Sequence, residues 1–332
     1  MRNIKKLLSL LLICSMMLAM TGCSDTASLQ KQDGKLKVVA TVFAEYDFLR
    51  NIAGDVIDLQ MLMLPGVDLH TYDPAPKDMK MVHNADLFVT IGGESDAWAD
   101  KIIDSVDNDK LQTIRLMDCV KVVREEVVEG MQAEEEDHDH DHVEEATSEE
   151  HSKEEKEFDE HVWTSPKNAI QIVQKLCDKL SKMDAKHASV YQSNTKKYIA
   201  KLKKLDEAFT KVIENGKRRE IIVADRFPFR YFADAYNLKY YAAFPGCSTQ
   251  TGASAETIAF LIDKVKQDKI PVVFHMELSS ELMCNTICEE TGAKKAQLNA
   301  VHNISKQDFD KGIGYLELMQ HNVKVLKEAL NE

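Results

Sequence analysis

The chain lacks the motifs of the common catalytic classes and the charge of a nucleic-acid binder. Its 42 Lys+Arg stand against 55 Asp+Glu, a formal net charge of −13 over 332 residues. That balance removes the basic footprint that nucleic-acid binding requires. No GxxxxGK[ST] loop is present, so any nucleotide-driven step belongs to a partner. No HExxH pair and no GxSxG nucleophile elbow occurs, and the sequence reads as a binding protein, not an enzyme. There is no CxxC pair among the seven cysteines. After the first 23 residues no segment is apolar enough to span a bilayer.

The first 23 residues read as an export signal. Arg2, Lys5 and Lys6 precede an apolar run from Leu7 to Met20 that is too short for a spanning helix. Leu18-Ala19-Met20-Thr21-Gly22-Cys23 resembles a bacterial lipobox, with Met20 where leucine is usual. The resemblance implies cleavage before Cys23 and a diacylglycerol on its thiol, which would anchor the chain at the extracytoplasmic membrane face. An ordinary cleaved signal with an incidental cysteine is the alternative. Residues 24–35 read as a polar tether. The other cysteines, Cys119, Cys177, Cys247, Cys284 and Cys288, are odd in number. Core thiols are the default for them, and spacing assigns no disulfide.

Most of the acidity is confined to one stretch. Ala133 to Glu160 holds 15 acids against two lysines, a net of −13, and the rest of the mature chain carries about −3. Within it lie His138, His140, His142 and His151. With no apolar face to bury, residues 132–157 are expected to be a disordered, solvated loop. A solubilising linker has that composition too. The His-Asp-His-Asp-His alternation points instead to a segment that gathers divalent metal, since imidazole and carboxylate suit a borderline ion such as zinc.

Around this loop the grammar is α/β. Apolar runs at Lys37–Val42, Val56–Leu64, Leu87–Ile91 and Thr113–Leu116 alternate with helical patterns at Phe43–Ala53, Pro76–Ala85 and Ala97–Ile103. After Trp163, Ser165 and Pro166 open a helix that runs to Met183. A longer one follows, from Asp184 to about Asn215, without internal Gly or Pro. Its apolar stripe is Tyr191, Tyr198, Leu202, Leu205 and Phe209. The C-terminal third repeats the strand–helix pattern and closes with a helix expected over Phe309–Leu330. The fold class expected is α/β: two lobes, each a mainly parallel sheet flanked by helices, joined by one long rigid helix. The boundaries are 36–166 for the N-terminal lobe, 167–217 for the linking helices and 218–332 for the C-terminal lobe.

Ligands in open α/β sheets bind beyond the carboxyl ends of the strands. His70 and His161 both lie there, in loops framed by proline. Here the chain resembles the solute-binding lipoproteins of zinc and manganese ABC transporters, the cluster A-I or cluster 9 family. The match covers nearly the whole mature sequence. It rests on Thr41, PGVDLHTYDPAPKDM, ADLFVTIGG, DEHVWTSPKNA and CEETGAK. The resemblance implies one metal in a cleft between two lobes, with His70 and His161 as the N-lobe ligands and His138, His140, His142 and His151 as collectors. It also implies a membrane permease with a separate ATPase subunit as partner, and a monomeric receptor. Zinc is the expected cargo, with a manganese receptor or a metal-dependent surface adhesin as alternatives.

The C-lobe departs from the family pattern. Arg226 stands at the third ligand position and Asn299 at the fourth, and a guanidinium cannot ligate. Asp225 is therefore the preferred third ligand, with Glu277 and His302 behind it and Cys247 and His275 as other polar groups at strand ends. Glu277 could instead pair with Arg226. Neutral imidazole ligands predict that affinity falls below about pH 6.

Overall fold

The computed structural model describes residues 34–68, 72–132, 157–250 and 252–331. Strands β1 (Leu36–Ala40), β2 (Ile57–Met61), β3 (Leu87–Thr90) and β4 (Gln112–Arg115) form one parallel sheet in the order β2-β1-β3-β4. Strands β5 (Glu220–Phe227), β6 (Lys239–Pro245), β7 (Val272–Met276) and β8 (Lys294–Leu298) form a second in the matching order β6-β5-β7-β8. Both sheets thus have a point at which the strand order reverses, between β1 and β3 and between β5 and β7. Loops leaving those strands are where such sheets hold ligands.

The strands sort their side chains by the two-residue period. Val38, Ala40, Leu87 and Val89 face a large central core, whereas Val39 and Phe88 face a smaller one with Ala99 and Ile102. In the second sheet Ile221, Val223 and Phe274 join that same central core, and Ile222, Ala224 and Val273 face an outer cluster with Leu261 and Ile287. One apolar core is therefore common to both lobes. Helices α1 (Phe43–Ala53), α2 (Pro76–His83) and α3 (Ala97–Ser105) belong to the first lobe. Helices α6 (Arg230–Tyr236), α7 (Ala255–Gln267) and α8 (Leu282–Thr291) belong to the second.

Between the lobes run α4 (Pro166–Met183) and the long α5 (Ala188–Glu214). At 1.5 Å per residue α5 is about 40 Å long. Its buried stripe is Tyr191, Thr195, Tyr198, Leu202, Leu205, Phe209 and Ile213. Near its start Asn194 donates to the Ile52 carbonyl at 3.1 Å, at the end of α1. Near its end the Phe209 ring lies 4.8 Å from Phe232 of α6. The helix is thus stitched to both lobes, as expected. Ser165 takes the extended backbone of a helix cap (φ −86°, ψ 120°), but its side chain makes no cap bond.

The closing helix is shorter than its apolar pattern suggests. A five-residue helix α9 (Lys306–Asp310) precedes α10 (Tyr315–Asn331), and Gly312 and Gly314 separate them. Gly312 sits at φ +74°, and a side chain on Gly314 would stand 2.9 Å from an Asp47 carboxylate oxygen. That carboxylate accepts the Tyr315 amide at 3.0 Å and satisfies the start of α10.

All five described cysteines are free, and Cys119, Cys177 and Cys284 are buried in the core, which is the structural role expected of them. Among the described residues no helix is long and apolar enough to cross a membrane. The export signal, Cys23 and most of the tether lie outside the described residues, as do His138, His140, His142 and His151.

Candidate metal centre

The chain enters the site through a short extended pairing. The Glu125 amide donates to the Glu157 carbonyl at 2.8 Å and the Asp159 amide to Val123 at 3.0 Å. The backbone then turns sharply at Asp159-Glu160-His161. Asp159 Oδ1 accepts both the His161 amide at 2.8 Å and His161 Nδ1 at 3.0 Å. A carboxylate that holds Nδ1–H fixes the tautomer and leaves Nε2 as the ligating nitrogen. Beyond the turn, Thr164 Oγ1 donates to the His161 carbonyl at 2.8 Å. His161 has no solvent exposure.

Trp163 locks this turn to the C-terminal lobe. It is fully buried, and its Nε1 donates to the Ala300 carbonyl at 2.8 Å. Its own carbonyl accepts the Tyr315 hydroxyl at 2.8 Å. The rings of His161 and His302 both meet it edge-on, at 5.7 and 5.6 Å, and meet each other at 4.7 Å.

His302 sits on a strained loop. Val301, a β-branched residue, has φ +62°, a conformation that persists only where its surroundings impose it. Glu277 does so by accepting the Ala300 amide at 2.7 Å and the Val301 amide at 2.6 Å. Asn322 completes the support, exchanging hydrogen bonds with the Asn299 main chain at 2.8 Å in each direction.

The surroundings of His161 are strongly acidic. Asp159, Glu160 and Glu125 lie close enough to act on its charge, and Asp159 and Glu160 are buried. Burial pushes the carboxyls of Glu160 and Glu125 above the usual range, and pushes Asp96 up to about 7. Burial also raises the Cys247 thiol, helped by the negative charge of Glu160, Asp159 and Glu125. Loss of hydration alone would lower the His161 pKa, but Asp159, Glu160 and Glu125 outweigh it and hold that pKa above the ordinary histidine value. A nearby cation would favour the ionised form of these carboxyls.

Among the described residues, one group of three potential ligands lies within mutual reach: Glu160, His161 and Cys247, with a donor atom of each within 4.8 Å of the others. Two of these three stood among the sequence candidates. Glu160 did not, although its place beside His161 in a turn-forming Asp-x-His triplet was the available signal.

Other candidates are engaged elsewhere. Asp225 accepts its neighbour's amide at 2.9 Å and the Met276 amide at 3.3 Å. With Arg226 and Asp68 it lines a cavity of about 430 Å³ whose lining does not include His161. Arg226 reaches Asp68 of the opposite lobe at 2.9 Å. The expected alternative pairing of Arg226 with Glu277 is thus corrected: Glu277 is bound to two main-chain amides, and loss of hydration pushes it up to about 7. Asn299 is bound to Asn322, and His275 Nδ1 lies 2.9 Å from the Met276 carbonyl.

His70 lies outside the described residues. The loop before it is described, and it is held across the lobes. Asn303 Nδ2 donates to the Leu64 and Val67 carbonyls, each at 2.8 Å. Asn303→Ala is expected to cost about 1–3 kcal/mol, since two acceptors lose one donor. Hydrogen exchange should show the amides of residues 64–68 opening faster than those of β1, and unchanged exchange there would contradict the assignment.

A family model described as "Zinc-uptake complex component A periplasmic" (ZnuA) matches residues 38–329. The chain is 32% identical over 330 residues to the zinc-binding lipoprotein AdcA of Streptococcus pneumoniae (strain ATCC BAA-255 / R6), covering 98% of this chain and 62% of that protein. It is 30% identical over 318 residues to the high-affinity zinc uptake system protein ZnuA of Bacillus subtilis (strain 168), covering 96% and 95%. The Zn(II)-bound ZnuA-like domain of S. pneumoniae AdcA superposes with a TM-score of 0.72 at 28% identity, over 90% of this chain and 100% of that one. The metal-dependent lipoprotein YcdH of B. subtilis gives 0.71 at 28% identity, over 89% and 99%. With the family model spanning nearly the whole described fold, this chain belongs to the ZnuA family of zinc-uptake components.

Proposed function

We propose that this protein is an extracytoplasmic receptor that captures Zn²⁺ between its lobes and delivers it to a membrane permease powered by a separate ATPase subunit. One observation carries the reading: a fully buried imidazole, His161, is held by Asp159 at Nδ1 and surrounded by buried carboxylates. His70 would complete the N-lobe half of the site. Asp225, Glu277 and His302 serve chiefly to shape the walls. The lipid on Cys23 would keep the receptor, acting as a monomer, near its permease, and His138, His140, His142 and His151 would raise the local metal concentration. The protein would carry its cargo unchanged and perform no catalysis. Imidazole and thiol donors favour zinc, whereas manganese prefers oxygen.

The test is metal analysis and competition calorimetry on the mature protein. About one tightly held zinc per chain is expected, with manganese unable to displace it at equal concentration. Affinity should fall on acidification, because only neutral His161 binds metal and a proton competes for the same nitrogen. The raised pKa of His161 shifts the onset to higher pH than an ordinary histidine near 6.5 would give. An affinity that stays flat from pH 8 to 5, or a preference for manganese, would contradict the zinc assignment.

A further inference from the structure

We propose that Cys247 supplies the C-terminal lobe's metal ligand, so that Glu160, His161 and Cys247 present oxygen, nitrogen and sulfur to one divalent cation. This deepens the receptor reading and rests on it. Three observations converge.

The donor atoms of the three residues lie within 4.8 Å of one another, so modest side-chain movement brings them to the spacing of about 3.3–3.8 Å that one tetrahedral ion bonded at about 2.0–2.3 Å requires. Glu160 is fully buried, and its Oε1 has no hydrogen-bond partner among the described residues. Such an oxygen is costly to bury as a carboxylate unless a proton or a cation completes it. The third observation is the construction of the turn after β6. Gly246 lies so close to His161 that a Cβ there would stand 3.2 Å from ring atoms Cε1 and Nδ1, and 2.9 Å from the Phe227 carbonyl. Only glycine lets the turn rest on the imidazole. The next amide, that of Cys247, is pinned by Glu125 Oε1 at 2.8 Å. The turn is thus shaped to bring one thiol from the second lobe against the histidine of the first.

Four other polar groups of the C-lobe are committed to other bonds, and His302 packs its ring 4.7 Å from that of His161. Asp225 and Glu277 accept main-chain amides, Asn299 pairs with Asn322, and Arg226 pairs with Asp68. Cys247 is the one that stands in reach of His161 together with a second donor. A thiolate beside an imidazole selects zinc, copper(I) or cobalt over manganese and magnesium. The cysteine would therefore set metal choice as well as hold the cargo.

Cobalt(II) serves as the probe, because a cobalt–thiolate bond gives a charge-transfer band in the near ultraviolet. Titration of the full mature chain should produce that band at one equivalent. Cys247→Ser should abolish it while one cobalt still binds, and should weaken zinc by at least about tenfold. Glu160→Gln should weaken zinc but keep the band. Should C247S fold poorly, zinc-edge X-ray absorption of the unmodified protein decides the matter, with one sulfur neighbour expected at about 2.3 Å. One cobalt bound without the band, with C247S holding zinc as tightly as the parent, overturns the cysteine and leaves the receptor standing. No tight metal at all overturns both.

Discussion

His161→Ala should lower zinc affinity by on the order of a thousandfold, well beyond the roughly 10–100-fold loss typical when a group that only orients a ligand is removed. The imidazole is fully buried, oriented by Asp159 and placed in the one cluster of three donors among the described residues. Losing it removes a bond to the ion and leaves the acidic wall without its neutral ligand. Asp159→Asn provides the comparison. An amide can still accept the His161 amide and Nδ1–H, but it lacks the charge that raises the basicity of the ring, so the smaller loss is expected there. Competition with a chelator of known affinity reads both. His161→Gln, which refills the space, separates metal loss from any fault of folding. A zinc affinity within tenfold of the parent in both His161 variants would remove His161 from the site.

Trp163→Ala should destabilise the fold by about 3–5 kcal/mol, the range for deleting a large buried aromatic side chain. The lost indole bond to the Ala300 carbonyl leaves a buried acceptor unmet, which puts the value toward the upper end of that range. The melting temperature should fall by on the order of 10 °C for a chain of this size. The change should also blunt metal binding, because His161 and His302 both rest edge-on against the indole. Trp163→Phe divides the two effects: it keeps part of the packing and loses the hydrogen bond, and should cost about 1–3 kcal/mol. Denaturant unfolding reads both, and a loss below about 1 kcal/mol in Trp163→Ala would show that the indole is not the tie between the lobes.

The fold was legible where physics is local. Apolar runs bounded by Pro and Gly located the strands, and helix α1 matches its sequence boundaries at Phe43–Ala53. The stripe on α5 was read from spacing alone. The closing helix was misjudged because the gap at Gly312–Gly314 depends on Asp47, which is 268 residues from Tyr315.

His161 was singled out by its proline-framed loop, and the acid that orients it, Asp159, stands only two residues away in the chain, whereas His70 lies outside the described residues. The C-lobe half was hidden. A register shift between Val223 and Arg226 breaks the alternation of β5, and a bulge re-aims the side chains that follow it. Counting residues therefore gives no direction for Asp225 or Arg226. Which strand-end groups stay available also depends on remote partners, such as Asp68 for Arg226 and the Ala300 and Val301 amides for Glu277.

The two sheets share a strand order, as duplicated halves would, yet their inner faces drain into one apolar interior. Neither half is a portable module. A chain severed between α5 and β5 would strip Ile221, Val223 and Phe274 from the surface formed by Val38, Leu87 and Leu202. Each fragment would then present a wet hydrophobic wall, the hallmark of an aggregating piece. The two halves are thus fused behind the loops at the strand ends by a single apolar interior.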